Sequence, residues 1–142
     1  MAFNVLIVDD SLPMRSVIKK TIKVSGFEVG KMFDAANGKE ALRILREEWL
    51  DLVLTDYNMP AMNGLELLVE MKRDELLMSI PVIMVTTEGS EQRIKEVMEE
   101  GAAEYIKKPF TPEEIRSKLN RIMGEPQDGE KCPDNSDEDL DF

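Results

Sequence analysis

Five residues of this chain carry side chains that could share one reaction: Asp9, Asp10, Asp56, Thr86 and Lys108. Each stands at or just past the end of a stretch that reads as a strand, apolar in all but the last case. Asp9 and Asp10 follow Val5-Leu6-Ile7-Val8, and Asp56 follows Leu52-Val53-Leu54-Thr55, with Pro60 marking a loop just beyond. Thr86 follows Pro81-Val82-Ile83-Met84-Val85, and Lys108 follows a shorter run at 103–106. Apolar runs without alternation read as strands buried on both faces, as in a parallel sheet. Open α/β sheets bind their ligands at the carboxyl edge of such strands. Gathered there, three carboxylates repel, at about 4 kcal/mol per pair for a 4 Å separation and an effective dielectric of 20. They must hold protons or a cation. Hard oxygen donors without thiolate or imidazole favour Mg²⁺, bound through one or two carboxylates and kept partly hydrated. Lys108 adds a compact positive charge and Thr86 a hydroxyl donor. A cation, an ammonium and a hydroxyl around one carboxylate suit phosphoryl transfer onto that carboxylate, where positioning and charge stabilisation do the catalysis.

Taken singly, each residue has an ordinary explanation. Asp56 could cap a loop, Asp9 and Asp10 could serve a helix N-terminus, and Lys108 before Pro109 could be a solvated loop residue. Thr86 alone reads as the end of a strand. Their conjunction at one edge is much harder to obtain by chance.

The elements that must position them alternate along the chain. A strand over 4–8 leads through Ser11-Leu12-Pro13, a helix-entry signal, into a helix. Met14, Val17, Ile18, Thr21 and Ile22 recur in it at helical spacing, and Gly26 stops it. A more polar strand is expected over 27–33, at a sheet edge. Asn37 and Glu40 read as the cap of a second helix carrying Ala41, Leu42 and Leu45. After the Asp56 strand, a third helix begins near Gly64, with Leu65, Leu68 and Met71 on one face. A strand over 81–85 precedes an unusually polar helix over 91–99, whose main apolar residues are Ile94, Val97 and Met98. Gly101 ends it, a fifth strand follows over 103–106, and Thr111-Pro112-Glu113-Glu114 opens a last helix bearing Ile115, Leu119 and Ile122. Five strand–helix alternations predict an α/β, doubly wound parallel sheet with helices on both faces and right-handed crossovers.

Composition sets the boundaries. The chain has 142 residues, 42% of them apolar, enough for one domain with a real core. Its formal charge of −11 is uneven: residues 124–142 carry eight acids and only Lys131 as a base, leaving −4 for residues 1–123. The expected division is a folded domain over 1–123 and an acidic, disordered tail over 124–142. No basic stripe suggests a nucleic-acid partner. The chain contains no histidine, and Cys132 is its only cysteine. A structural zinc site, an internal disulfide and Ser-His or Cys-His nucleophile pairs are therefore excluded. With no basic leader and no membrane-length apolar run, a cytoplasmic location without membrane insertion is expected.

The segments VLIVDD at 5–10, LVLTDYNMP at 52–60, PVIMVTTE at 81–88 and YIKKPF at 105–110 resemble the receiver domains of two-component response regulators. The likeness covers 4–123 and leans toward single-domain, CheY-like chemotaxis members. It implies a flavodoxin-like five-stranded sheet of order 2-1-3-4-5 with five helices. It also implies that Asp56 accepts a phosphoryl group from a sensor histidine kinase. Asp9 and Asp10 would hold Mg²⁺ with Asp56 and the backbone carbonyl of Asn58. Thr86 and Lys108 would bind the phosphoryl oxygens, and Tyr105 would be the switch aromatic. Asn58 and Glu88 would tune dephosphorylation, and the Lys108–Pro109 bond would be cis.

The resemblance thus implies a monomeric signalling switch rather than an enzyme. Phosphorylation would change the face formed by the fourth helix, fifth strand and fifth helix. That face would bind a downstream target such as a flagellar motor switch protein, with a phosphatase as a possible further partner. A phosphorelay or non-chemotaxis role is the alternative. An aspartyl-phosphate phosphatase is disfavoured because Asn58 stands where such enzymes place a second acid. A flavin or nucleotide carrier would need a glycine- or hydroxyl-rich phosphate loop after the first strand, where this chain has Asp9 and Asp10.

Overall fold

The computed structural model describes residues 2–86 and 91–123. The order of elements is β1 (Phe3–Val8), α1 (Leu12–Ser25), β2 (Val29–Ala35), α2 (Gly38–Glu47), β3 (Leu52–Asp56), α3 (Gly64–Arg73), β4 (Val82–Thr86), α4 (Glu91–Glu99), β5 (Glu104–Lys107) and α5 (Pro112–Met123). The strands form one sheet in the order β2-β1-β3-β4-β5, every neighbouring pair parallel.

The two-sided burial of the strands explains their runs. Successive side chains point to opposite faces of a sheet. Leu6 and Val8 of β1, Val53 of β3 and Val82 and Met84 of β4 pack against α2, α3 and Val97 of α4. Their neighbours Val5, Ile7, Leu52, Leu54, Ile83 and Val85 pack against Ile18 and Ile22 of α1 and Ile115 and Leu119 of α5. A polar residue within 5–8, 52–55 or 82–85 would be buried on one face or the other. Only Thr55 is tolerated within these runs, and its hydroxyl donates to the Asp56 carbonyl at 3.0 Å.

Local signals set the helix ends. The Ser11 hydroxyl accepts from the Met14 N–H at 3.3 Å, and Gly26 closes α1 at φ 86°, a left-handed conformation that glycine adopts without penalty. Asn63 with Glu66 and Thr111 with Glu114 form reciprocal capping boxes at the starts of α3 and α5. At α2, Asn37 caps the Glu40 N–H as expected, but the Glu40 carboxylate reaches the Ala36 N–H instead of the cap residue.

Three expectations need correction. β2 runs to Ala35, two residues beyond the expected range, because its pairing with β1 continues through Val8↔Ala35. β4 and β5 are each displaced one residue toward the carboxyl edge, to Thr86 and Lys107. Val17, assigned to the apolar stripe of α1, is 56% exposed, because that stripe centres on Ile18 and Ile22. The expected tail over 124–142 lies outside the described residues. No helix among the described residues is long and apolar enough to cross a membrane.

Glu104 supplies a polar tie between β5 and α5. It is buried, yet its carboxylate meets Arg121 at 2.9 Å, Lys118 at 3.3 Å and the Tyr105 N–H at 3.1 Å. Burial raises its pKa, but the Tyr105 hydrogen bond and the charges of Lys118 and Arg121 outweigh that, and the net shift is downward. A depressed carboxylate pKa contributes stability that is present above the unfolded value and lost as pH falls through the folded one. Glu104→Gln is therefore expected to lower unfolding stability at neutral pH by about 1–2 kcal/mol. The gap from wild type should close in acid, where both side chains are neutral. Urea denaturation at neutral pH and below pH 4 checks this.

Candidate functional site

The carboxyl ends of β1, β3, β4 and the β5–α5 connection converge as the sequence predicts. Asp9 is 2% exposed. Its Oδ1 accepts the Ser11 N–H at 2.9 Å, and its Oδ2 accepts from Lys108 Nζ at 3.0 Å. The same ammonium lies 3.6 Å from Asp56 Oδ1. Asp10, more exposed, offers a carboxylate oxygen to the group: one oxygen each from Asp9, Asp10 and Asp56 lies within 4.8 Å of the others. Thr86 is buried at the end of β4, and its carbonyl accepts the Lys108 N–H at 2.8 Å. The Lys108–Pro109 peptide bond is cis.

Asn58 is exposed in the loop directly after Asp56. Tyr105 is half-buried on β5, with the Lys118 ammonium 5.1 Å from its ring centroid. Glu88 lies outside the described residues.

The loop after Asp56 has little freedom. Gly64 donates its N–H to the Tyr57 carbonyl at 2.9 Å, and a Cβ on Gly64 would collide with the Asp56 carbonyl. Ala61 sits at φ 67°, a left-handed conformation uncommon for a residue with a Cβ. Backbone strain of this kind recurs at functional loops.

Two site-supporting residues escape a reading of the sequence alone. Arg15 Nη1 donates to the Asp9 carbonyl at 2.6 Å, and its Nε to Asp34 Oδ2 at 2.8 Å. Lys19 lies 3.4 Å from the other Asp34 oxygen. Burial raises the Asp34 pKa, but Arg15 and Lys19 together pull it below the ordinary value. Asp34 thus anchors the guanidinium that fixes the Asp9 backbone. With β2 ended at Phe33 rather than Ala35, Asp34 is hidden among loop residues; a strand carried two residues further would have revealed another acid near the carboxyl edge.

Asp56 carries the opposite shift. Burial is the largest influence and raises its pKa; Lys108 lowers it, Asp9 raises it, a Tyr57 backbone hydrogen bond lowers it and Asp10 raises it, for a net upward shift. The arrangement is a carboxylate held partly against its own ionisation, beside one ammonium and two further acids. Hard oxygens at these spacings can hold a small divalent cation: two ligands at 2.0–2.1 Å from one ion lie at most about 4.2 Å apart, so modest closure or a bridging water completes the set.

Fold and site together define an acidic pocket with one lysine at the carboxyl edge of a doubly wound parallel sheet. Residues 5–120 match the family model of the response regulator receiver domain, and the chain belongs to that family. It is 39% identical to the chemotaxis protein CheY homolog of Campylobacter jejuni over 122 residues, covering 85% of this chain and 92% of that protein. It is 37% identical to the phosphate regulon transcriptional regulatory protein PhoB of Pseudomonas aeruginosa, covering 84% of this chain and 51% of that protein. Among solved structures, chemotaxis protein CheY4 of Vibrio cholerae superposes with a TM-score of 0.77 at 32% identity, covering 86% of this chain and 99% of that one.

The raised pKa of Asp56 has a thermodynamic consequence. A carboxyl that binds its proton more tightly when folded loses stability as pH rises from its unfolded value, near 3.8, through its folded one. At neutral pH the full penalty is present. Asp56→Asn is expected to raise the melting temperature in EDTA at neutral pH by roughly a few degrees, with the gain shrinking toward pH 3. Scanning calorimetry across that range measures it.

Proposed function

We propose that this chain is a cytoplasmic signalling switch that accepts a phosphoryl group on Asp56 from a sensor histidine kinase. The observation that carries this reading is the Lys108 ammonium, 3.0 Å from Asp9 and 3.6 Å from Asp56 at the mouth of an acidic cluster. In the transfer, an Asp56 carboxylate oxygen attacks phosphorus and the phosphorus–nitrogen bond of the donor phosphohistidine breaks. The electron pair leaves with the imidazole, and the product is an aspartyl phosphate. Asp9, Asp10, Asp56 and the Asn58 carbonyl would hold Mg²⁺, which supplies charge neutralisation for the phosphoryl oxygens. Lys108 binds a phosphoryl oxygen from the other side, and the Thr86 hydroxyl donates to another.

Phosphorylation adds roughly 1.5 to 2 negative charges. Lys108 and Thr86 are drawn toward them, and Tyr105 turns into the space that Thr86 leaves. The surface of α4, β5 and α5 then changes its affinity for a partner. Such a mark shifts the equilibrium only by its differential affinity for the two states, about 1.4 kcal/mol per tenfold. The role is a switch rather than an enzyme's: phosphate leaves by hydrolysis, at a rate tuned by Asn58 and Glu88, and a short-lived phosphorylated state is expected. The chemotaxis proteins among its relatives favour a flagellar motor switch protein as target. The PhoB relative supports a second reading, a phosphorelay or another pathway with the same chemistry.

The test uses the purified chain with acetyl phosphate. Wild type with Mg²⁺ is expected to gain one phosphoryl group by intact mass and to lose it well within hours. Asp56→Asn or excess EDTA should abolish the gain, and Lys108→Ala should slow it at least tenfold. Labelling that survives in Asp56→Asn would refute the assignment. Capture of a motor switch protein only by the phosphorylated form separates the chemotaxis reading from the second one.

A further inference from the structure

The body of this chain is mildly acidic, yet one face of it is basic. Lys19, Lys20 and Lys23 of α1 rim an open groove of about 620 Å³ over Phe27, Val29 and Met32, between α1 and the edge strand β2. No acidic residue lines that groove among the described residues. Lys19 shares Asp34 with Arg15, whereas Lys20 and Lys23 have no ion-pair partner among the described residues. The phosphoacceptor chemistry makes no use of this groove.

We propose that the groove is the docking site of the chain's own acidic segment beyond Met123. Charge complementarity is the first reason: residues 124–142 carry eight acids and one base. The point of departure is the second. Met123 and Ile122 pack in the same apolar cluster as Phe27, Val29 and Met32, so the segment leaves the fold from the face of the sheet on which the groove lies. Pattern is the third. In Asp137-Glu138-Asp139-Leu140-Asp141-Phe142, acids and apolar side chains interleave near the end, matching a lysine rim over an apolar floor.

Reach is no obstacle, since the fourteen residues from Met123 to Asp137 can span up to roughly 45–50 Å. A tether of this length holds its cargo at an effective concentration of order millimolar, so even a weak groove is substantially occupied. The segment then acts as a built-in anionic ligand that covers the basic face of α1 against other anions.

Cys132, the only cysteine of the 142-residue chain, gives a single site for a nitroxide label in ¹⁵N-labelled protein. Paramagnetic broadening is expected on backbone amides of 16–23 and 29–32, and little on α3. Raising salt from 0.1 M to 1 M shortens the Debye length from about 10 Å to about 3 Å and should reduce the broadening several-fold. K20Q/K23Q should do the same, and so should D137N/E138Q/D139N/D141N, which leaves the folded body untouched. Broadening confined to the residues flanking Met123, or indifferent to salt and to both variants, would overturn the proposal. So would broadening that moves to an unlabelled ¹⁵N copy mixed with spin-labelled protein, since the occupant would then be a second molecule.

Discussion

One ammonium group holds the acidic edge of this sheet together. Asp9 is almost wholly removed from water, and a buried carboxylate without a partner costs several kcal/mol. Lys108 compensates it at 3.0 Å, with the Ser11 N–H on the other oxygen. The same ammonium stands 3.6 Å from Asp56, too far for a good hydrogen bond but close enough to temper its charge. Asp56 is pushed toward the protonated form, by burial first and then by the charges of Asp9 and Asp10, against the pull of Lys108 and a Tyr57 backbone hydrogen bond. Such a pocket is short of positive charge, and its three carboxylates could hold a metal ion that made up the shortage. Arg15 and Asp34 support the arrangement from behind by fixing the backbone of Asp9.

The same lysine belongs to the structural path toward the opposite side of the sheet. Its N–H donates to the Thr86 carbonyl, so β4 and the end of β5 are joined within one residue of the pocket. Tyr105 lies three residues earlier, and Glu104 beside it is tied to Lys118 and Arg121 of α5. A change in the charge that Lys108 faces therefore acts on a short strand clamped to a helix, not on a free loop. Packed elements of this kind settle in discrete arrangements rather than deforming continuously.

Much of this is legible in the sequence because buried parallel strands leave no latitude. β1, β3 and β4 must be apolar on both faces, so the first polar residues after them mark the carboxyl edge and with it the pocket. β2 is harder. At the edge of the sheet, Lys31, Met32, Phe33 and Asp34 form neither a run nor a clean alternation, and only register with β1 shows where the strand ends. Arg15 is invisible for a different reason: its role depends on a long side chain crossing from α1 to β2. Val17 is misassigned because consecutive helical residues turn about 100°, which carries it off the stripe centred on Ile18.

The two flanks of the pocket are held very differently. On the α3 side, Gly64 abuts the Asp56 carbonyl, Asn63 and Glu66 close a capping box, and Leu67, Leu68 and Met71 are fully buried. Moving that flank would break backbone contacts and expose core. On the α4 side only Val97 is buried within the helix. Two polar contacts join the helix to the loop after Asp56: Tyr57 Oη with Glu96 at 3.3 Å, and the Arg93 guanidinium 4.6 Å over the Tyr57 ring. Exposed polar contacts of this sort contribute about 1 kcal/mol or less each, far below the cost of opening the α3 flank. Elements with little buried apolar surface occupy the low-stability end of a structure. The pocket therefore stands between a firmly packed α3 flank and a lightly packed α4 flank, whose helix buries one apolar residue where α3 buries three.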